Sequence, residues 1–211
     1  MKIAFIGYGH VGAPLADHLQ RLGHVVTLAV NHDGSESVRR LLAKNQALLT
    51  APVAEAVEQA EVVFLATPFQ ANEAILREVA PQLAGKVIVD CTNPVGPGLT
   101  HGLQNAQSGS AFVQALVPGA HVVKAFSIYG YENFEDNRYP GYGVKPAMLY
   151  CGDDTVSKSV VHKLITQLGW DPVDVGGLDQ ALHLEHMTLL WVRMVRVNGA
   201  SPCLVWAALR K

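Results

Sequence analysis

The sequence predicts an α/β fold: a doubly wound, mainly parallel sheet with helices on both faces. Three observations carry this. Apolar, β-rich runs alternate with helix-periodic segments along most of the 211 residues. Runs such as Glu61-Val62-Val63-Phe64-Leu65-Ala66 are too continuously apolar to alternate, as strands covered on both faces are. The chain also opens with strand, glycine turn, helix and second strand within about 30 residues.

Taken in order, Lys2-Ile3-Ala4-Phe5-Ile6 reads as a buried strand bounded by glycine. Val11, Leu15, Ala16, Leu19 and Leu22 mark one face of a helix ending at Gly23, and Val25 to Val30 is the second strand. Ser35 caps a helix carrying Val38, Leu41 and Leu42, and Leu48-Leu49-Thr50 is a short third strand. A helix over 52–60 leads into the strand at 61–66, a helix spans about 70–83, and Lys86 to Asp90 is the next strand. The stretch from Gly96 to Ser110 reads as a loop flanking a short helix, with a further helix from Ala111 to Leu116. His121 to Phe126 is a strand, and Ser127 to Lys145 is a long irregular segment of the length that a functional loop or lid takes. A strand at 147–151, a turn at Gly152-Asp153-Asp154, a helix at 155–168 and a strand at 171–175 follow. The last helix runs from about Leu178 to Val197 and is apolar nearly all round, with Glu185, Arg193 and Arg196 as its polar stripe. Two readings of it stay open, an interior helix of a larger core or a contribution to a dimer interface.

At 49% hydrophobic the chain is able to bury a full core, hiding roughly 70% of its unfolded surface. A net charge of −2, with no run of lysines or arginines, argues against a nucleic-acid partner. Cys91, Cys151 and Cys203 are widely spaced and lack a CxxC pair, which fits free thiols in a reducing compartment rather than disulfides or zinc. The fold begins at residue 2, so no signal peptide is expected, and Glu185, Arg193 and Arg196 break the most apolar segment, so no membrane span is expected. A cytoplasmic protein is the expectation.

Gly7-Tyr8-Gly9-His10-Val11-Gly12 is the dinucleotide fingerprint in its required strand–turn–helix context. Gly7 permits the tight turn, Gly9 lets a pyrophosphate approach the backbone, and Gly12 lets the helix pack closely on the sheet. Free N–H groups at the helix start then face the phosphates. This makes residues 1–120 an NAD(P)-binding domain of Rossmann type. Residues 121–211 complete the sheet and add a substrate-side loop and a dimerisation helix.

In such sheets ligands sit beyond the carboxyl ends of the strands. Asn31 and His32 follow the second strand where an NAD-specific site places a carboxylate; with no acid there, NADP(H) is favoured and NAD(H) is the alternative. Arg39 or Arg40 reaches back toward the same place. Ala66, Thr67, Pro68, Asn93 and Pro94 fall around the nicotinamide, and Phe126, Ser127, Ile128 and Tyr129 around whatever lies against it.

Other tempting residues carry less. His183 and His186 with Glu185 lack a further clustered ligand for a metal. Asp153-Asp154 reads as a turn and helix cap, and Cys91 as a small core-lining residue without an activating base. Tyr129, Tyr131, Phe134, Tyr139 and Tyr142 either stack on a flat ring or pack a lid. Lys124 lies inside a strand and His10 inside the fingerprint, so no essential acid or base is identified. Hydride transfer to a flavin-like ring needs mainly proximity, because the cofactors carry the electronic chemistry.

The chain resembles the coenzyme F-420-dependent NADP oxidoreductase family, to which the cytosolic reductase portion of six-transmembrane metalloreductases is similar. The marks are KIAFIGYGHVG at 2–12, ATP at 66–68, VVKAFSIYG at 122–130, CGDD at 151–154, PVDVG at 172–176 and RVNG at 196–199. The resemblance implies a nucleotide on Gly7–Gly12, nicotinamide near Thr67 and Pro68, a reducible ring against Phe126-Ser127-Ile128, and a homodimer formed through the C-terminal part. One departure stands out: Val30-Asn31 aligns with the family's Ser-Arg NADP-reading pair. The expected activity is hydride transfer between NADP(H) and a flavin or deazaflavin co-substrate. The alternatives are a small imine or carbonyl reductase and a non-catalytic NADP(H)-sensing protein.

Overall fold

The computed structural model describes residues 1–30 and 35–211. In chain order the elements are β1 (Lys2–Ile6), α1 (Gly12–Arg21), β2 (Val25–Val30), α2 (Glu36–Lys44), β3 (Leu49–Pro52), α3 (Val53–Gln59), β4 (Val62–Leu65), α4 (Asn72–Leu83) and β5 (Val87–Asp90). A ribbon of β6 (Val95–Gly96) and β7 (Thr100–His101) follows, then α5 (Gly109–Leu116), β8 (His121–Lys124), α6 (Glu132–Glu135), β9 (Ala147–Gly152), α7 (Thr155–Gln167), β10 (Asp171–Asp174) and α8 (Ala181–Val192).

Eight strands form one sheet in the order β10-β9-β8-β5-β4-β1-β2-β3. Neighbours are parallel throughout except β8 and β9, so β9 and β10 run opposite to the other six. The chain leaves β1 toward β2 and β3, then returns to lay β4 on the other side of β1. The crevice of a doubly wound sheet opens at that reversal, beyond the carboxyl ends of β1 and β4. On one face α3, α4, α5 and α8 each touch the next, while α1 packs on β1 and β2 and α7 on β8, β9 and β10.

The capping expectations hold. Ser35 Oγ accepts from the Val38 N–H at 3.3 Å, and Asp154 Oδ1 accepts from the Ser157 N–H at 2.7 Å. Three expectations need correction. The segment after β5 holds the β6–β7 ribbon rather than loop alone. β8 stops at Lys124, because Phe126 has φ +54°, a left-handed conformation that cannot extend a strand. The last helix is three pieces: a single 3₁₀ turn at Leu178–Gln180, then α8, then a wider π turn at Arg193–Val197.

A line of aromatic rings crosses the core. Phe5 stacks on Phe64 at 4.6 Å, Phe64 meets Phe126 at 5.9 Å, Phe126 meets Phe134 at 6.2 Å, Phe134 meets Trp170 at 6.0 Å, and Trp170 stacks on Tyr129 at 5.3 Å. Phe134 and Tyr129 are therefore core residues and not a lid or a ring platform. Tyr129 also donates its hydroxyl to the Ala147 carbonyl at 2.6 Å. Among the described residues no helix is long and apolar enough to cross a membrane, and no group of three or more histidine, cysteine or acidic side chains is placed to hold a metal.

Candidate active site

The three fingerprint glycines are held in place by backbone contacts. Gly7 has φ +94°, and a Cβ there would lie 2.5 Å from the Ala66 carbonyl carbon and 2.6 Å from the Thr67 nitrogen. A Cβ on Gly12 would run into the Gly7 carbonyl oxygen. Gly9 differs: nothing lies within 4 Å of where its Cβ would stand. Two glycines thus close the turn against β4, and the third leaves open space in front of the α1 N-terminus. α1 begins without a side-chain cap; the Gly9 carbonyl takes the Ala13 N–H at 3.0 Å and Pro14 has none, so the helix offers that space the Gly12 N–H and the positive end of its dipole. A dinucleotide pyrophosphate fits this cradle by shape and by dipole.

A hollow of about 290 Å³ continues from the cradle, with Tyr8, Gly9, His10, Ser37, Arg40 and Lys44 in its lining. Arg40 is mostly exposed and pairs loosely with Glu36 at 3.5 Å. His10 is exposed and its ring stacks on Tyr131 at 4.5 Å. Arg196 lies 5.9 Å from the Tyr131 ring and 5.2 Å from the Trp191 ring, and donates to both Glu132 oxygens at 2.6 and 2.9 Å.

On the other side of the crevice a buried polar chain begins at Thr67. Its hydroxyl donates to Asn72 Oδ1 at 2.7 Å, and Asn72 Nδ2 donates to Thr92 Oγ1 at 3.0 Å. The Thr92 hydroxyl and N–H both donate to Asp90 Oδ1, at 2.7 and 2.9 Å. Ser110 donates to Asp90 Oδ2 at 2.5 Å. Lys124 Nζ sits 3.7 Å from Asp90 Oδ2 and 3.1 Å from Glu185 Oε1, and donates to the Thr92 carbonyl at 2.9 Å. Glu185 also accepts the Gly109 N–H at 2.9 Å and contacts His101 Nε2 at 2.7 Å. Burial works against the Lys124 charge, but Asp90 and Glu185 outweigh it and hold the ammonium pKa above its ordinary value.

This cluster separates Glu185 from the polar stripe it was expected to form with Arg193 and Arg196. It is 1% exposed, because buried partners neutralise and hydrogen-bond its carboxylate. Arg193 and Arg196 remain at the surface. Asn72, Asp90, Thr92, His101, Lys124 and Glu185 were not singled out from the sequence as a group. The available signal was Lys124 itself, since a lysine inside a strand as apolar as His121 to Phe126 demands buried counter-charges.

The other expected residues fall as follows. Ala66, Thr67 and Pro68 end β4 beside Gly7, with Thr67 half-buried and Pro68 exposed. Asn93 donates to the Ser127 carbonyl at 3.0 Å and accepts from Thr188 at 3.1 Å, while Pro94 is buried. Phe126 and Ile128 are fully buried and Tyr129 is nearly so, backbone and side chain alike, so the stretch expected to lie against an acceptor is enclosed by its neighbours. Ser127 is 3% exposed and its hydroxyl has no hydrogen-bond partner. Cys91 is buried, and burial, with Asp90 beside it, pushes its thiol well up, as suits a core-lining residue. Val11 is half-buried at the α1 N-cap. Asn31 and His32 lie outside the described residues.

Comparison with known proteins agrees with this geometry. Residues 2–94 match the family model described as NADP oxidoreductase, coenzyme F420-dependent. The F420-dependent NADP reductase of Methanothermobacter marburgensis is 28% identical over 92% of each chain. Metalloreductase STEAP3 of Rattus norvegicus is 30% identical over 89% of this chain, which spans 36% of the rat protein's length. A crystal structure from Arthrobacter sp. FB24, provisionally named as an F420-dependent NADP reductase, superposes over 100% of both chains with a TM-score of 0.89 at 28% identity. Through residues 2–94 the chain is similar to this oxidoreductase family. The matched segment ends at Pro94 and so contains the whole cradle, the β4 end and the Asp90–Thr92 part of the polar chain. Residues 126–129 and the Lys124 and Glu185 side chains lie beyond it.

Proposed function

We propose that this protein transfers hydride between NADP(H) and a flavin or deazaflavin ring, acting as a small cytoplasmic oxidoreductase. The observation that carries the reading is the cradle: Gly7 and Gly12 packed tight, Gly9 open, and the uncapped start of α1 facing the open space. The nicotinamide supplies the hydride when the dinucleotide is bound. The chain's own residues bind and orient it. The backbone of Gly7–Gly12 takes the pyrophosphate, and Arg40 with Lys44 lies where charge favours a 2′-phosphate. Thr67 and Pro68 then adjoin the nicotinamide, and the acceptor ring lies toward the buried stretch from Phe126 to Tyr129, which Asn93 braces. No side chain in this arrangement is required as an acid or base. A homodimer formed through the C-terminal part is supported by the exposed Leu190 and Val197 at the end of α8 and in the π turn.

The test is a screen of NADPH oxidation against flavin mononucleotide, coenzyme F420, a ferric chelate and a cyclic imine, with NADPH binding followed in parallel by nucleotide fluorescence. Rapid oxidation by one of the two ring acceptors supports the reading. Turnover confined to the imine would transfer it to the reductase alternative, and tight binding with no turnover to the sensing one.

A further inference from the structure

The hydrogen bonds behind Thr67 leave little freedom in how its hydroxyl proton points. Asp90 Oδ1 faces the Thr92 N–H at 2.9 Å, and an oxygen facing an N–H is an acceptor there. The Thr92 hydroxyl, 2.7 Å from the same oxygen, must therefore donate to it. With its proton spent, Thr92 Oγ1 is an acceptor toward Asn72, which turns the Asn72 amide nitrogen to Thr92 and its oxygen to Thr67. Thr67 in turn must donate its proton to Asn72 Oδ1 at 2.7 Å. Asn72 is fully buried and Thr92 nearly so, so water is not at hand to relax this order. Lys124 and Ser110 fix Asp90 from its other oxygen.

Thr67 is half-buried at the end of β4, against Gly7, and among the described residues its oxygen has no other protein partner. The geometry points to Thr67 Oγ1 as an obligate acceptor in the crevice, selecting a ligand that presents an N–H, the carboxamide NH₂ of nicotinamide. The inference rests on the dinucleotide reading above and deepens it. A buried relay ending on Asp90 decides which polar group of the ring's substituent Thr67 can hold, and so helps to set which way the ring lies. Asn72, Thr92 and Asp90 are positioning residues acting through Thr67.

Binding measurements with cofactor analogues test this without turnover. The probes are NADP⁺, its 3-acetylpyridine analogue, in which a methyl replaces the NH₂, and its thionicotinamide analogue, which keeps the NH₂ and alters the oxygen. The expected result by titration calorimetry is about tenfold weaker binding of the acetylpyridine analogue, with the thionicotinamide analogue close to NADP⁺. Thr67→Val should erase the discrimination and Thr67→Ser should retain it; position 67 is half-exposed, so both variants are expected to fold. Equal binding of NADP⁺ and the acetylpyridine analogue by the wild type, or discrimination that survives in Thr67→Val, overturns the inference while leaving the dinucleotide reading intact. Failure of all three nucleotides to bind overturns both.

Discussion

Lys124 on β8 and Glu185 on α8 meet at 3.1 Å with neither side chain in contact with water. The pair joins the helix to the sheet, and Asp90 and His101 complete the cluster. Removing one member of a buried set costs more than the pair contributes, because the others stay buried and unpaired. Lys124→Met should destabilise the protein by about 3–5 kcal/mol. Adding Glu185→Gln should recover part of that loss. Urea unfolding of the two single variants and the double variant measures the coupling; strict additivity would mean that the two groups do not interact.

Gly9→Val should leave the melting temperature nearly unchanged, since nothing stands within 4 Å of the new Cβ, yet weaken NADPH binding at least a hundredfold. Gly12→Val should instead fail to fold properly, because its Cβ meets the Gly7 carbonyl. Fluorescence titration beside a thermal melt separates the two outcomes. Undiminished binding by Gly9→Val would place the nucleotide elsewhere.

Arg40 lines the hollow beside Gly9 and is held only by an exposed pair with Glu36. Arg40→Ala should weaken NADPH about tenfold, or ~1.4 kcal/mol, and leave NADH unaffected. Dissociation constants for both nucleotides at low salt check this, and an equal loss for both would remove Arg40 from phosphate recognition.

Ser127 has a buried hydroxyl with no partner, in the stretch toward which the acceptor is proposed to lie. Ser127→Ala should lower single-turnover oxidation of bound NADPH by a flavin-type acceptor no more than about tenfold, roughly 1.4 kcal/mol of barrier. A thousandfold loss would show that Ser127 handles a proton or a substrate oxygen, and the carbonyl or imine reductase reading would move ahead.

Burial pushes the Cys151 thiol up to about 12. Below the unfolded thiol's value, near 8.5, both states hold the proton and stability is unaffected. Above it the unfolded chain ionises while the folded one does not, so stability falls by about 1.4 kcal/mol per pH unit until the folded thiol also titrates. Urea midpoints measured from pH 8 to 11 should therefore decline, and more gently in Cys151→Ala. A parallel decline in both proteins would show that Cys151 is not the group responsible.

The β1–α1–β2 unit was legible in the sequence because each glycine answers a local contact, two against carbonyls and one against open space. Ser35 and Asp154 announced their helices for the same reason, each bonding an N–H three residues on. The Glu185 cluster was not legible. His101 and Glu185 are 84 positions apart, and α8 is apolar nearly all round, so periodicity did not say which face its one carboxylate takes. Phe126 was equally opaque. Its left-handed backbone coincides with its place in the row of rings, and nothing in a strand-like run signals that break.

The stack of flat groups from His10 through Tyr131 and Arg196 to Trp191 has an optical consequence. The chain's three tryptophans, Trp170, Trp191 and Trp206, all lie in its last 42 residues, so tryptophan emission reports on that part alone. Trp191 is nevertheless joined by stacked neighbours to the rim of the cradle. A ligand that displaces the His10 ring perturbs the cation over the Trp191 indole, and its arrival is recorded as a change in emission from a residue it never touches.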